Sequence, residues 1–423
     1  MRQSPRYIFR DRTDTSVKQL NYISHLQRLF IFLLIFIQIF APVAQATGSI
    51  VDDAPPVDES KPYIPVTADN LKDMTAQAAI LIDARTGRIL YEKNPDQKLM
   101  PASTTKMMTC ILGLENAAGD DVIAVDKRAV GEDGSAIYLN EGDRIAMSEL
   151  LQATMLASGN DGAAAVGYYI GQGSMEKFVE MMNDKAKSLG AVNTHFNNPH
   201  GLTDPNHYTT ARDLAKIAAY CYQNPQFRKI VSTKEQQISW ISPADRKDVY
   251  GSTNRLLWNY DDITGIKTGY TDAAGGCLVA SAEKNGSSLI AVVLKTADSR
   301  ARFTESRALL DFGFKQIASQ QPVDTDKLTD TVYVHGGTVS EIAVKPAQDF
   351  TYPVMKHENA EDFTYQLNLT KNYVEAPCPA GTKVGTVDLL YHGTVIGSID
   401  MVTAEDTTEG FNLIGFLHEL FFS

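Results

Sequence analysis

A hydroxyl and an amine stand three residues apart in "PASTTKMMT", Pro101 to Thr109: Ser103 and Lys106. If Ser103 opens a helix, positions i and i+3 share one face, and the amine reaches the hydroxyl. A lysine held neutral takes the serine's proton and turns it into a nucleophile. The helix N-terminus adds free N–H groups and a positive dipole end beside the reacting centre. The same two residues also read as an N-cap serine and a surface lysine, so the pair alone decides nothing. Two further triplets carry polar groups at short spacing. Ser158-Gly159-Asn160 lies between two helical patterns, and Lys267-Thr268-Gly269 just precedes a run of strands.

The elements that must position these groups follow from periodicity. "AAILIDARTGRILYEKN" is two apolar runs around a turn, a β-hairpin with strands at 80–83 and 89–92. A helix carries Ser103 and continues through "MMTCILGL". From about Met147 to Gln226 the apolar spacing stays near 3.6, broken by the loop "NNPHGLTDPNHY". "GCLVASAEKNGSSLIAVVLKT" is a second hairpin, and "RARFTESRALLDFGFKQIA" a helix. Strands at both ends of a helical middle predict an α/β (α+β) domain over 70–317: one antiparallel sheet with helices and an all-helical insertion. The polar stretch 318–327 reads as a linker, and 328–405 alternates like a small all-β domain.

S-x-x-K, S-x-N and K-T-G in that order mark penicillin-binding proteins and serine β-lactamases. Residues of about 70 to 315 resemble the D-alanyl-D-alanine carboxypeptidase branch of low-molecular-mass penicillin-binding proteins. The likeness extends to "SAIYLNEGDRIAMSELLQATMLASGNDGAAAV", "HGLTDPNHYTTARDLA", "NRLLW" and "GIKTGYTDAAGGCLVASA". It implies a penicillin-sensitive enzyme that removes the terminal D-alanine from peptidoglycan stem pentapeptides through an acyl-enzyme on Ser103. Lys106 would be the base, its charge disfavoured by partial burial and the second cation Lys267. Ser158 would relay a proton to the leaving amine, and Asn160 would hold the substrate amide and Lys106. The backbone N–H groups of Ser103 and Tyr270 would stabilise the oxyanion. Lys267, Thr268 and Arg302 would bind the terminal carboxylate. An edge strand at Lys267–Tyr270 would let the substrate add as a further strand, with Gly269 leaving room for it. Tyr270 is a variable position in this family. Its competitors are a serine β-lactamase, which the appended domain and the lack of a loop glutamate argue against, and a non-catalytic wall-binding protein, which has no need of Lys106.

The remaining features set the context. Six Lys/Arg precede the run "LFIFLLIFIQIFAPVA", then "AQA": residues 1–46 read as a secretory signal peptide and 47–69 as a tether. The expected location is therefore the outer face of the cytoplasmic membrane. The chain carries a formal charge of −12, and without the leader 33 Lys/Arg face 49 Asp/Glu, which argues against nucleic acid as a partner. Cys110, Cys221, Cys277 and Cys378 are far apart and hold no metal-site spacing. His195, His200 and His207 share one loop but suit no standard zinc site; no metal or cofactor is expected. "DFG" at Asp311–Gly313 lacks any companion kinase motif, and "EMMND" at Glu180–Asp184 sits mid-helix. The C-terminal "GFNLIGFLHELFFS", 410–423, is a wide apolar helix, too short to span a bilayer. It suits a membrane interface, with docking on the β domain as the alternative.

Overall fold

The computed structural model describes residues 66–323 and 325–412. The expected signal peptide and most of the C-terminal helix lie outside them. β1 (Ala78–Asp83) and β2 (Ile89–Lys93) form the first hairpin. There follow α1 (Lys106–Asn116), β3 (Val122–Ala124), β4 (Arg144–Ala146), α2 (Met147–Ala157), α3 (Asn160–Ile170), α4 (Met175–Ser188), α5 (Ala211–Gln223) and α6 (Pro225–Ser232). Short strands β5 (Glu235–Gln237), β6 (Trp240–Ser242) and β7 (Val249–Gly251) lead into α7 (Arg255–Asn259). The chain then lays down β8 (Ile263–Thr271), β9 (Gly275–Lys284) and β10 (Ser287–Thr296), and closes the domain with α8 (Ala301–Gln316). The sheet order is β2-β1-β10-β9-β8, all antiparallel, so the two hairpins meet at the β1–β10 pair. β8 is left as an edge.

These strands are apolar at successive positions because both faces of the sheet are covered. Ile290, Val292 and Leu294 of β10 face the core formed with the helical insertion. Leu289, Ala291 and Val293 face a second core under α8. Ile80 and Ile82 of β1 divide from Leu81 in the same way. Gly313 of "DFG" lets α8 approach that second face: a Cβ there would lie 2.7 Å from Leu81 and Leu289.

The second domain holds β11 (Ile317–Pro322), β12 (Asp330–His335), β13 (Glu341–Pro346), β14 (Thr351–Met355), β15 (Phe363–Leu369), β16 (Tyr373–Glu375), β17 (Lys383–Tyr391) and β18 (Thr394–Thr403). Six form one sheet, in the order β15-β17-β18-β13-β12-β16, and β11 pairs with β14. The expected linker at 318–327 is thus corrected, since its first half is a strand. "ASQQP" is too polar to look like one, and the burial is supplied by its partner β14, which is buried over 352–355. The domain also runs past 405, through bridges Cys378↔Thr407 and Gly337↔Glu409. It is held at the β1–β2 turn: Arg88 donates to Pro353 O and pairs with Glu358, and Ser398 N donates to Thr86 O at 2.9 Å. That turn belongs to the sheet edge opposite β8.

Candidate active site

Ser103 stands in a 3-10 turn, Ala102–Thr105, that winds directly into α1 at Lys106. The i, i+3 relation survives the tighter winding, because 3-10 residues three apart eclipse one another. Ala102 just before it has φ +48°, a region L residues seldom enter. The turn is held in that shape from outside. A Cβ on Gly201 (φ +94°) would lie 1.9 Å from Ala102 O, so only glycine lets the 198–203 loop press against it. Thr105 Oγ1 meets His207 Nε2 at 2.8 Å.

Lys106 is fully buried. Its Nζ lies 2.9 Å from Ser103 Oγ, 2.6 Å from Asn160 Oδ1 and 2.9 Å from His200 O. Two of these are carbonyl-type oxygens that can only accept. The three oxygens match the three N–H groups of an ammonium; once deprotonated, the amine can keep both carbonyl bonds and turn its lone pair to Ser103 Oγ. The S-x-N triplet is made by a helix break. α2 ends on Ser158 in the left-handed region (φ 60°, ψ 28°), and Asn160 starts α3. Asn160 also donates Nδ2 to Asp133 O at 2.5 Å and its backbone N–H to Ser135 O at 2.7 Å.

From the edge strand, Lys267 Nζ donates to Ser158 Oγ at 2.9 Å and to Thr268 O at 3.1 Å. Thr268 Oγ1 lies 2.6 Å from Thr253 Oγ1. A Cβ on Gly269 would stand 3.0 Å from both Ser103 N and Pro101 O, so glycine is what lets β8 come so close to the nucleophile's turn. Ser103, Lys106, Ser158, Asn160, Lys267, Thr268 and Gly269 are thus brought together. Tyr270 lines the cleft beside them, its hydroxyl 3.4 Å from Asp272 Oδ1. Burial, then the Asp272 charge, raises the Tyr270 phenol above its usual range.

Arg302, in the first turn of α8, is as buried as Lys267, each at 1%, and donates Nη1 to Gly269 O at 2.9 Å, so its guanidinium is fixed on the K-T-G strand.

Several functional partners were not visible in the sequence. His200 contributes a backbone carbonyl, which no side-chain motif reports. Asp161, 2% exposed, accepts from Ile137 N (2.9 Å) and Leu139 N (3.0 Å) and fixes the 133–139 loop as one wall. Thr253 is a lone threonine in sequence. The cleft these residues surround has a volume of about 1040 Å³, with Ser103 in its lining.

The histidines are structural here. Burial first, then the Lys106 charge, pushes His200 down to about 3, and burial pushes His207 down to about 4. Hydrogen bonding agrees: His207 Nδ1 accepts Asn197 N–H at 3.0 Å, which requires an unprotonated nitrogen. The 3.5 Å contact of His200 Nε2 with Glu132 therefore joins a neutral ring to a carboxyl group whose own pKa is raised by burial and by Asp133 and Asp161. Among the described residues no group of His, Cys, Asp or Glu is arranged to hold a metal ion. All four cysteines are buried and free, and burial pushes the Cys277 thiol up to about 11.

A buried lysine on a serine, a second lysine on a second serine, and an edge strand passing the nucleophile define a serine acyl-transfer enzyme of the penicillin-binding fold. The profile of the D-alanyl-D-alanine carboxypeptidase family matches residues 65–298, and that of the penicillin-binding protein 5 C-terminal domain matches 318–409. The chain belongs to the D-alanyl-D-alanine carboxypeptidase family. It is 34% identical over 336 residues to D-alanyl-D-alanine carboxypeptidase DacF of Bacillus subtilis, covering 78% of this chain and 85% of that one. Against DacC of Escherichia coli the figures are 33% over 388 residues, 89% and 90%. The crystal structure of penicillin-binding protein 5 from Haemophilus influenzae matches with a TM-score of 0.60 at 31% identity, covering 80% of this chain and 98% of that one. The protein is a serine-type D-Ala-D-Ala carboxypeptidase of the low-molecular-mass penicillin-binding class, acting on peptidoglycan peptides and binding β-lactams.

Proposed function

We propose that Ser103 carries the acyl group, that Lys106 takes its proton, and that the Ser158–Lys267 pair returns a proton to the leaving D-alanine. The observation carrying this reading is the 2.9 Å contact of Lys106 Nζ with Ser103 Oγ, with two carbonyl oxygens on the same nitrogen. In the first half, Oγ adds to the carbonyl of the penultimate D-alanine and the Oγ proton passes to Nζ. The C–N bond then breaks as Ser158 Oγ hands its proton to the amine of the departing D-alanine and is resupplied through Lys267 with the proton that Lys106 took, so that Lys106 is neutral again. In the second half, water adds to the ester carbonyl and its proton passes to Lys106; as the C–O bond breaks, that proton returns to Ser103 Oγ and the free serine is restored. The oxyanion is held by the N–H groups of Ser103 and Tyr270. The departing carboxylate sits near Lys267 and Thr268, with the buried Arg302 held on Gly269 O adding to the positive field. A β-lactam acylates Ser103 by the same first half, but its leaving amine stays tethered and hinders water.

The test is to incubate the soluble form with a pentapeptide ending in D-Ala-D-Ala, and separately with a penicillin, and to follow both by mass. Loss of one D-alanine and a penicillin adduct mapped to Ser103 are expected. Ser103→Ala should lose both while remaining folded; an adduct on another serine would sink the assignment.

The same proposal extends to location: export by residues 1–46 and attachment to the outer face of the cytoplasmic membrane through 410–423. In support, Phe411, 77% exposed, leads into the apolar run. Among the described residues no helix is long and apolar enough to cross a membrane. With no Lys or Arg in 410–423, binding should depend on apolar burial and little on salt. Flotation with lipid vesicles should recover the mature protein and not a form ending at Glu409. If both forms stay soluble, the anchor fails.

A further inference from the structure

Tyr138 is the most exposed large apolar or aromatic side chain among the described residues, at 78%. It lines the same cleft as Ser103. Its backbone is held in the left-handed region, φ +56°. Nothing about its own packing calls for that, yet the residues on either side are fastened firmly. Ile137 is fully buried, and Leu139 is 4% exposed. The buried Asp161 carboxylate takes both their N–H groups. Ile137 O accepts from Arg246 Nη2 at 2.8 Å and from Tyr250 OH at 2.9 Å. Upstream, Asp133 O and Ser135 O are bonded to Asn160 itself. The fold therefore builds a rigid ledge on the proposed catalytic asparagine and uses it to hold one ring out over the cleft.

The cleft's size says what the ring meets. At about 1040 Å³ it lies at the upper end of pockets that enclose whole drug-sized molecules, and a terminal D-Ala-D-Ala alone would leave most of it empty. There is room for more of the donor to enter. If the departing carboxylate lies at Lys267 and Thr268, an extended donor added to the β8 edge continues past Gly269 towards Tyr270, Thr271 and Asp272. At roughly 3.3 Å per residue, the residue preceding D-Ala-D-Ala then lies in the part of the cleft shared by Tyr270–Asp272 and the Tyr138 ledge. Among the lining residues only Asp133 and Asp272 carry charge, so a side chain ending in an ammonium meets no like charge there.

We propose that Tyr138 is a positioning residue for the donor peptide, its ring covering the aliphatic stem of a long side chain on the residue before D-Ala-D-Ala. This rests on the acylation reading given above. The ring acts on substrate placement and takes no part in proton transfer, so its removal acts on KM for long-side-chain donors.

The test compares acetyl-Lys-D-Ala-D-Ala with acetyl-Ala-D-Ala-D-Ala, measuring D-alanine release by the wild type, Tyr138→Ala and Tyr138→Phe. Tyr138→Ala should cut kcat/KM for the lysyl probe by about three- to tenfold, mainly through KM, with at most about a twofold change for the alanyl probe. Tyr138→Phe should restore the lysyl value. Its ring has the same area, so rescue separates ring contact from a hydroxyl role. Penicillin acylation of Tyr138→Ala at the wild-type rate should show that the nucleophile's surroundings are intact. Equal losses on both probes, no loss on either, or a failure of Tyr138→Phe to rescue would overturn the proposal. If the wild type releases D-alanine from neither probe, the carboxypeptidase reading itself is wrong and this proposal goes with it.

Discussion

The catalytic cleft and the C-terminal β domain bury very different things. Around Ser103 the chain encloses Lys106, Lys267 and Arg302, each at most 1% exposed, together with Ser158, Asn160, Thr268 and Asp161. Burying such groups costs stability unless every hydrogen-bonding site is met, and they are kept because a water-poor site makes each dipole and charge act more strongly. Among the described residues of the β domain the buried polar groups are two threonines, Thr403 and Thr407, and the Glu358 side chain where it meets Arg88. β13 shows strict alternation, with Ile342, Val344 and Pro346 inward and Glu341, Ala343 and Lys345 outward. One region holds strained turns and buried cations in place; the other is a sheet with one wet face. Mutations in the two should therefore move different observables.

The largest separation should come from Gly269→Ala. The new methyl would push β8 away from Ser103 N and misplace the oxyanion donors, lowering the penicillin acylation rate on the order of 10³-fold with little change in melting temperature. An unchanged rate would mean that the close approach has no bearing on catalysis.

Arg88→Ala is the converse case. Arg88 and Glu358 form a pair with side chains 6% and 4% exposed, between the β1–β2 turn and the β domain. Removing one partner leaves a buried charge unmatched, costing about 3 kcal/mol of stability in denaturant unfolding. The acylation rate should stay as it was, because the contact lies at the sheet edge opposite β8. A matching fall in rate would show that the regions are coupled.

Asp161→Asn should do some of both, on a smaller scale. The amide keeps one accepting oxygen where the carboxylate had two, so one charge-assisted bond to the 137–139 backbone is lost, about 1.5–3 kcal/mol. Peptide trimming should slow more than penicillin acylation, since the peptide uses more of that wall.

The smallest effect concerns pH. His200 and His207 have folded values of about 3 and about 4, below the ordinary 6.5 of a free histidine. The unfolded chain therefore binds protons that the folded one refuses. The stability associated with the neutral rings is fully present above about 6.5 and is lost as the pH falls towards the folded values. His207→Gln should flatten the loss by about 1 kcal/mol between pH 6 and pH 5, read as a shallower fall of melting temperature on acidification. Identical slopes would mean that His207 does not titrate on unfolding.

How much was legible beforehand differed between these regions for a physical reason. In the first domain the hairpins and the helical middle follow from short-range patterns, and the structure agrees. The β11 strand was missed because its sequence is polar and its burial is supplied by β14, more than thirty residues later in the chain. The bond from Arg302 to Gly269 O spans 33 positions, and no local pattern records it.

By itself the sequence determined the reacting set. Ser103 and Lys106 meet across one turn, Ser158 and Asn160 across a helix break, and Lys267 to Gly269 along one strand, all relations of backbone geometry over a few residues. Only the tertiary structure decided how the three sets join. Lys106 finds Asn160 across 54 positions and His200 O across 94, and Lys267 finds Ser158 across 109. Those partners are chosen by how helices and sheet pack about two shared cores. The same packing puts Asp161 under the cleft wall, Tyr138 above it and Arg302 on Gly269 O, and no spacing along the chain records such a choice.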